Sequence, residues 1–287
     1  MDRRRKLSLA FCVTVATACG SAALAGRGKD EWNSRFATLW SADHETGDLS
    51  QWYFPSRSKT GNYGGGEYNS GSALVTVSRD VAHSGKYSLK ATITTPSKPT
   101  AGVRLFRWRE SQDSKFLGQG LYYSAWLFFP NQYQVTGQYW NVFQFKSKRS
   151  GTIDPFWFLS IGNRPSGAMY LQLHWWSGLR LEGPHQGESG FRKYEQTVMD
   201  IPVNRWIHVE CFLKQSAEFN GCIRVWQDGI SLFEQTNVKT KYPGGDNQWA
   251  VANYSDGITP DPATIYFDDA AIATNRSQAN TQRSVIR

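Results

Sequence analysis

Runs of β-branched and aromatic residues recur along almost the whole chain, and no window of a dozen residues carries an apolar stripe at helical spacing. That single feature excludes most architectures. Strand-forming runs cover residues 73–77, 87–93, 103–109, 121–129, 140–146, 156–161, 169–176, 206–213, 223–227 and 264–272. Gly, Pro, Asn and Ser clusters separate them, as at 61–72, 147–155 and 183–190. About a dozen strands without strand–helix alternation means a sandwich or a barrel. Disorder is excluded, because 40% of the 287 residues are hydrophobic and 14% are aromatic. No internal repeat and no break in composition marks a second domain. One domain over residues 26–274 is expected, followed by a polar tail at 275–287.

The N-terminus reads as a targeting segment. Asp2, Arg3, Arg4, Arg5 and Lys6 precede an apolar run from Leu7 to Ala18, and Ala23-Leu24-Ala25 is a small-x-small cleavage site. The expected location is secreted or periplasmic. A lipoprotein cut before Cys19 is less favoured, since Ala16 stands where a bulkier aliphatic is usual. The apolar run is too short for a stable membrane span. Removing residues 1–25 lowers the formal charge from +8 to +5. A basic, exported chain points mildly to an acidic partner. Nucleic acid is a poor candidate outside the cell. Cys211 and Cys222 remain, and a disulfide or two free thiols are both open. Asn220-Gly221 is a turn signal between two strands, and a simple hairpin puts the two sulfurs on opposite faces.

The strand faces carry the functional signal. In 169–176, Met169, Leu171, Leu173 and Trp175 form one apolar set, opposed by Tyr170, Gln172, His174 and Trp176. In 140–146, Asn141, Phe143 and Phe145 oppose Trp140, Val142, Gln144 and Lys146. Amide, imidazole and indole groups on one face suit a sugar groove, where rings stack and amides bond hydroxyls. The paired-carboxylate strand of jelly-roll glucanases is absent, as are His-Glu-x-x-His, Walker, Gly-x-Ser-x-Gly and Cys-x-x-Cys motifs.

Several segments resemble a known group. Glu45-Thr46-Gly47-Asp48-Leu49-Ser50-Gln51-Trp52 resembles the opening of concanavalin A-like jelly rolls, and His83-Ser84-Gly85-Lys86-Tyr87-Ser88-Leu89 their next strand. Residues 139–146 and 206–210, Val225-Trp226-Gln227-Asp228-Gly229, and residues 249–254 with 264–272 resemble the middle and end of heparin-lyase-like and glucuronan-lyase-like polysaccharide lyases. The resemblance implies an all-β, two-sheet antiparallel jelly roll with a concave groove. It also implies β-elimination on an anionic, uronic-acid-containing polysaccharide.

That reaction needs a carboxylate neutraliser, a base for the α-proton and an acid for the leaving oxygen. By resemblance, Gln144 neutralises and Tyr254 is the acid. Lys146 stands where a His is usual, so His174 or Tyr254 is left to take the proton. Arg107 and Arg109 are candidate carboxylate ligands. Trp140, Tyr170, Gln172 and Trp176 are candidate sugar contacts. Glu45 and Asp268 match the positions that hold a structural Ca²⁺ in the resembling modules. No organic cofactor is expected, and the chain is expected to be monomeric. The alternative is a non-catalytic lectin with the same groove, and a structural envelope protein is a third class.

Overall fold

The structure is a computed structural model that describes residues 38–53, 66–94, 101–108, 119–149, 152–176 and 190–276. The targeting segment, Cys19, Arg109 and the tail beyond residue 276 lie outside them. The strands are β1 (Thr38–Ala42), β2 (Gly66–Ser70), β3 (Ala73–Ser78), β4 (Ser88–Ile93), β5 (Ala101–Trp108) and β6 (Leu121–Phe128). There follow β7 (Gln134–Val135), β8 (Trp140–Arg149), β9 (Thr152–Asn163), β10 (Met169–Trp176), β11 (Phe191–Tyr194) and β12 (Trp206–Lys214). The last are β13 (Gly221–Gln227), β14 (Ile230–Val238), β15 (Asp246–Ser255), β16 (Ile258–Thr259) and β17 (Ala263–Ala273). Within the described residues, each of the ten runs expected from the sequence falls on a strand, to within a residue at its ends.

They form a two-sheet antiparallel sandwich. The back sheet runs β14-β13-β12-β6-β17-β4-β3, with β1 also on β17. The front sheet runs β11-β10-β9-β8-β15-β5-β2, and β16 and β7 make a small third ladder. Strands distant in sequence lie side by side, as β8-β15-β5 do, which is the jelly-roll crossover. The period-2 pattern explains the layers. Leu171, Leu173, Phe143, Phe145, Val103, Leu105, Trp249 and Val251 turn inward from the front sheet, and Leu127, Val209, Val225, Ile265 and Phe267 from the back, all buried. Trp249 packs edge-on to Phe143, and Tyr123 to Phe145.

The cysteine question is resolved by register. Cys211 pairs with Val225 on the core face, whereas Cys222 pairs with Lys214. The sulfurs are on opposite faces, and both cysteines are buried and unbridged.

One irregularity decides which side chains reach the front face. On β8, Asn141 pairs with Ser160 of β9 and Phe143 with Leu159, so Val142 is an extra residue. The bulge reverses the phase of the strand. Trp140 therefore joins Phe143 and Phe145 in the core, fully buried, and donates its indole N–H to Asn253 Oδ1 at 2.8 Å. Asn253 Nδ2 donates to the Ala91 and Ala263 carbonyls at 2.9 and 3.1 Å. The expectation that Trp140 contacts sugar is corrected: its ring and its polar atom both belong to the interior. Asn141 takes the outward position instead.

Candidate active site

A groove of about 530 Å³ opens on the outer face of the front sheet. Its walls come from β5, β8, β9, β10, β11 and β15, so no single strand builds it. Arg104, Gln144, Lys146, His174, Trp176 and Tyr254 are among the residues that line it. The four expected catalytic residues thus meet at one groove. No Asp or Glu lines it among the described residues.

Cross-strand register sets the spacing. Gln144 pairs with Phe158, which pairs with His174, so Gln144 and His174 stand two strands apart, or about 10 Å between Cα atoms. Tyr254 pairs with Asn141 on one side and Gly102 on the other. A Cβ at Gly102 would lie 2.3 Å from Tyr254 Cδ2 and 2.9 Å from its Cα, so only glycine lets the ring lie over β5. There the ring sits 4.5 Å under the Arg104 guanidinium and stacks with Tyr139 at 5.5 Å.

Arg104 was not singled out from the sequence, and it takes the place expected of Arg107. Residues alternate along β5, with Val103, Leu105 and Arg107 inward. Arg107 is 2% exposed, pairs across to Trp249 and lies 5.2 Å over the Trp40 ring. It is corrected from groove ligand to interior residue, and the apolar Val103 and Leu105 on its face were the available signal. Arg104 lies between Tyr68 at 4.2 Å and Tyr254. Burial draws its pKa below the ordinary guanidinium value, against the opposing pull of Tyr254 and Tyr68. It remains a cation. Its Nε has no hydrogen-bond partner among the described residues. A partly desolvated cation with no carboxylate partner among the described residues carries a cost that an incoming anion would offset.

Gln144 is 2% exposed, and its Oε1 is likewise unpartnered among the described residues. Lys146 is buried beside it, with Nζ 5.5 Å from the Phe106 ring. His174 stacks on Phe158 at 4.9 Å and touches Phe191 at 5.5 Å. Burial first, and the Lys193 charge second, push its imidazole down to about 4, with Glu195 opposing. Its Nδ1 has no partner among the described residues, while Nε2 meets Gln172 Oε1 at 3.3 Å. Trp176 and Phe191, 38% and 47% exposed, form an aromatic lip on paired positions of β10 and β11. Phe191 was also missed, since it sits on a four-residue edge strand.

Tyr170 and Gln172 share the outer face of β10 with His174 but do not line the groove. Tyr170 Oη donates to Glu195 Oε1 at 2.7 Å, and Gln172 Nε2 donates to the same oxygen at 3.0 Å.

The expected calcium pair does not fit a metal. Glu45 Oε1 accepts the Lys86 and Tyr87 backbone N–H groups, both at 2.8 Å. Asp268 Oδ2 accepts those of His83 and Ser84, at 2.8 and 3.3 Å. Asp268 Oδ1 accepts the Asp269 N–H at 2.8 Å and meets His44 Nδ1 at 3.2 Å. His44 Nε2 accepts the Trp52 indole N–H at 3.2 Å, so Nδ1 carries the hydrogen. Both carboxylates thus face N–H donors, where calcium needs six to eight oxygens. Among the described residues, no three His, Cys, Asp or Glu side chains are grouped to hold an ion. Their place is to clamp the 83–87 loop. Excess EDTA should leave the melting temperature unchanged in a thermal scan; a fall of several degrees would restore calcium.

A family model described as Polysaccharide lyase matches residues 44–271. No curated protein matches the sequence. Among solved structures, the endo-β-1,4-glucuronan lyase from the fungus Trichoderma reesei superposes with a TM-score of 0.63 at 18% identity, covering 85% of this chain and 98% of that one. The alginate lyase vAL-1 from Chlorella virus gives 0.55 at 12% identity, covering 82% and 99%. The marine PL-14 alginate lyase from Aplysia kurodai gives 0.54 at 12% identity, covering 82% and 98%. At such identities the likeness speaks to the fold.

Proposed function

The chain belongs to the polysaccharide lyase family, and on that premise we propose that it cleaves a uronic-acid polymer by β-elimination in the front-sheet groove. One observation carries the substrate class: the groove holds the partly buried Arg104 cation and the buried Lys146, and no carboxylate among its described lining residues. A glycosidase would need two carboxylates there. A lyase needs donors for the substrate's own carboxylate, and Arg104, Lys146 and the Gln144 amide are such donors.

The steps follow from the layout. The carboxylate binds at Gln144 and the two cations, which stabilise the charge that develops when C5 loses its proton. His174, uncharged at neutral pH, takes that proton. The electron pair forms the C4=C5 double bond as the C4–O4 bond breaks. Tyr254 Oη donates a proton to the departing oxygen; the charged imidazole then gives its proton to water and the tyrosinate takes one back from water, which restores both groups. Trp176 and Phe191 offer stacking surfaces for neighbouring sugar rings. The basic and then apolar residues 2–25 support export as part of this reading.

The unsaturated product absorbs in the ultraviolet. A panel of glucuronan, alginate and heparin-like polymers should give a rising signal with at least one. Binding without any signal would make the protein a lectin. The pH profile adds a sharper test. A protonated His174 cannot accept a proton, so kcat/KM should fall on the acid side near pH 4, below the ordinary histidine value of 6.5. An acid limb at 6 to 7 would remove His174 as base. The same shift acts on stability. The folded pKa lies below the unfolded one, so the unfolded chain binds the extra proton. Stability is full above 6.5 and declines as pH falls to about 4, by on the order of 3 kcal/mol from this group.

A further inference from the structure

The hydrogen bonds behind His174 run in one direction. Glu195 is about half exposed, and the Lys193 ammonium at 2.9 Å and the Tyr170 hydroxyl hold its carboxyl below the ordinary range. It is therefore a carboxylate and can only accept. Tyr170 must then donate to it at 2.7 Å, which leaves the Tyr170 oxygen as an acceptor. Gln172 Nε2 donates to both, at 2.6 Å to Tyr170 Oη and 3.0 Å to Glu195. With its NH₂ engaged there, the Gln172 amide presents its oxygen to His174 Nε2 at 3.3 Å. An oxygen can only accept, so that ring nitrogen carries the hydrogen.

We infer that Glu195, Tyr170 and Gln172 form a one-way relay that fixes His174 as the Nε2–H tautomer and leaves Nδ1 as the atom that takes the substrate proton. Gln172 and Tyr170 are then positioning residues rather than sugar contacts. The inference rests on the lyase reading and adds the reacting atom. C5–H breaks, the proton forms N–H at Nδ1, and the electron pair passes into the C4=C5 bond. Two further features agree. Nδ1 is the ring nitrogen that is buried without a partner among the described residues, an acceptor that an incoming donor would satisfy. Phe158 and Phe191 hold the ring from both sides, at 4.9 and 5.5 Å, so it cannot turn over freely. Gly162, paired with Tyr170 across β9 and β10, makes room for the relay, because a Cβ there would lie 2.3 Å from Gln172 Nε2.

Long-range ¹H–¹⁵N spectra of the whole protein read the tautomer directly, with His174→Asn assigning the signal by its loss. The expected spectrum has a pyrrole-type Nε2 and a pyridine-type Nδ1. Gln172→Leu removes the acceptor. Gly162→Ala displaces the amide from a residue that touches neither His174 nor the groove, and carries the test if Gln172→Leu does not fold. Both should mix the tautomers and lower kcat about 10- to 100-fold with little change in KM. A wild-type Nδ1–H tautomer would overturn the inference. So would a raised KM with an unchanged tautomer, the signature of a sugar contact. The expected tautomer in a protein that cleaves none of the polymers would leave the relay standing and remove the lyase reading, so the two failures are distinct.

Discussion

Tyr254→Phe should lower kcat on a responsive uronate polymer by about 10²- to 10⁴-fold, the span set by losing a positioned general acid. KM and melting temperature should barely move. The substitution removes one oxygen and leaves the ring in place. That ring is held by stacking on Tyr139 at 5.5 Å and by the Arg104 guanidinium at 4.5 Å, and neither contact needs the hydroxyl. Tyr254 lines a groove that contains no carboxylate among its described lining residues, so none of those residues is an ordinary acid that could replace it. Binding of the polymer should survive, which separates loss of chemistry from loss of the site. Gly102→Ala offers a geometric counterpart. Its new methyl group would meet both the ring and the backbone of Tyr254, and should cost activity without touching the hydroxyl. A fall of less than tenfold in Tyr254→Phe would move the acid elsewhere. Tyr139, stacked beside it and also lining the groove, would be the next residue to change.

The sequence reveals the central strands best because they alternate cleanly between a dry face and a polar one. β10 is the clearest case, and its Tyr170, Gln172, His174 and Trp176 do lie on the outer face. Edge strands are harder to read. β14 is mostly exposed, and β11 has only Phe191, Arg192, Lys193 and Tyr194, so neither needs an apolar run. The groove residues divide the same way. His174 sits on a regularly alternating strand, whereas Gln144 and Tyr254 lie beside register shifts and were marked by the resemblance. Trp140 misleads because a bulge leaves no trace in composition; the extra residue Val142 emerges only from pairing with β9. Arg107 misleads for a different reason. Its spacing from Arg109 suggested a two-pronged carboxylate ligand, while Val103 and Leu105 on its own face already indicated the interior. Alternation was the stronger physical signal, since burying an apolar face stabilises the fold whether or not a ligand ever binds.

That contrast makes Arg104→Met and Arg107→Met a decisive pair. Arg104→Met should reduce kcat/KM on the uronate polymer by about 10²-fold or more, as expected for losing one preorganised donor to a developing charge. Arg107→Met should leave kcat/KM within a few-fold of wild type, because its side chain lies on the core face over Trp40 and is separated from the groove by the sheet itself. The stability of the Arg104 variant is as informative as its activity. Arg104 is partly buried, desolvation lowers its pKa, and no described carboxylate is paired with it. Removing a partly desolvated cation that has no counter-charge among the described residues relieves a penalty, and the Met chain can still fill the space between Tyr68 and Tyr254. The variant should therefore melt no lower than wild type, and higher if the penalty is large. A residue whose loss damages catalysis while sparing or raising stability is present for the ligand and not for the fold. If Arg104→Met instead unfolds the protein while Arg107→Met abolishes cleavage, the assignment of the two faces of β5 is wrong. The anionic groove ligand would then have to be sought on another surface.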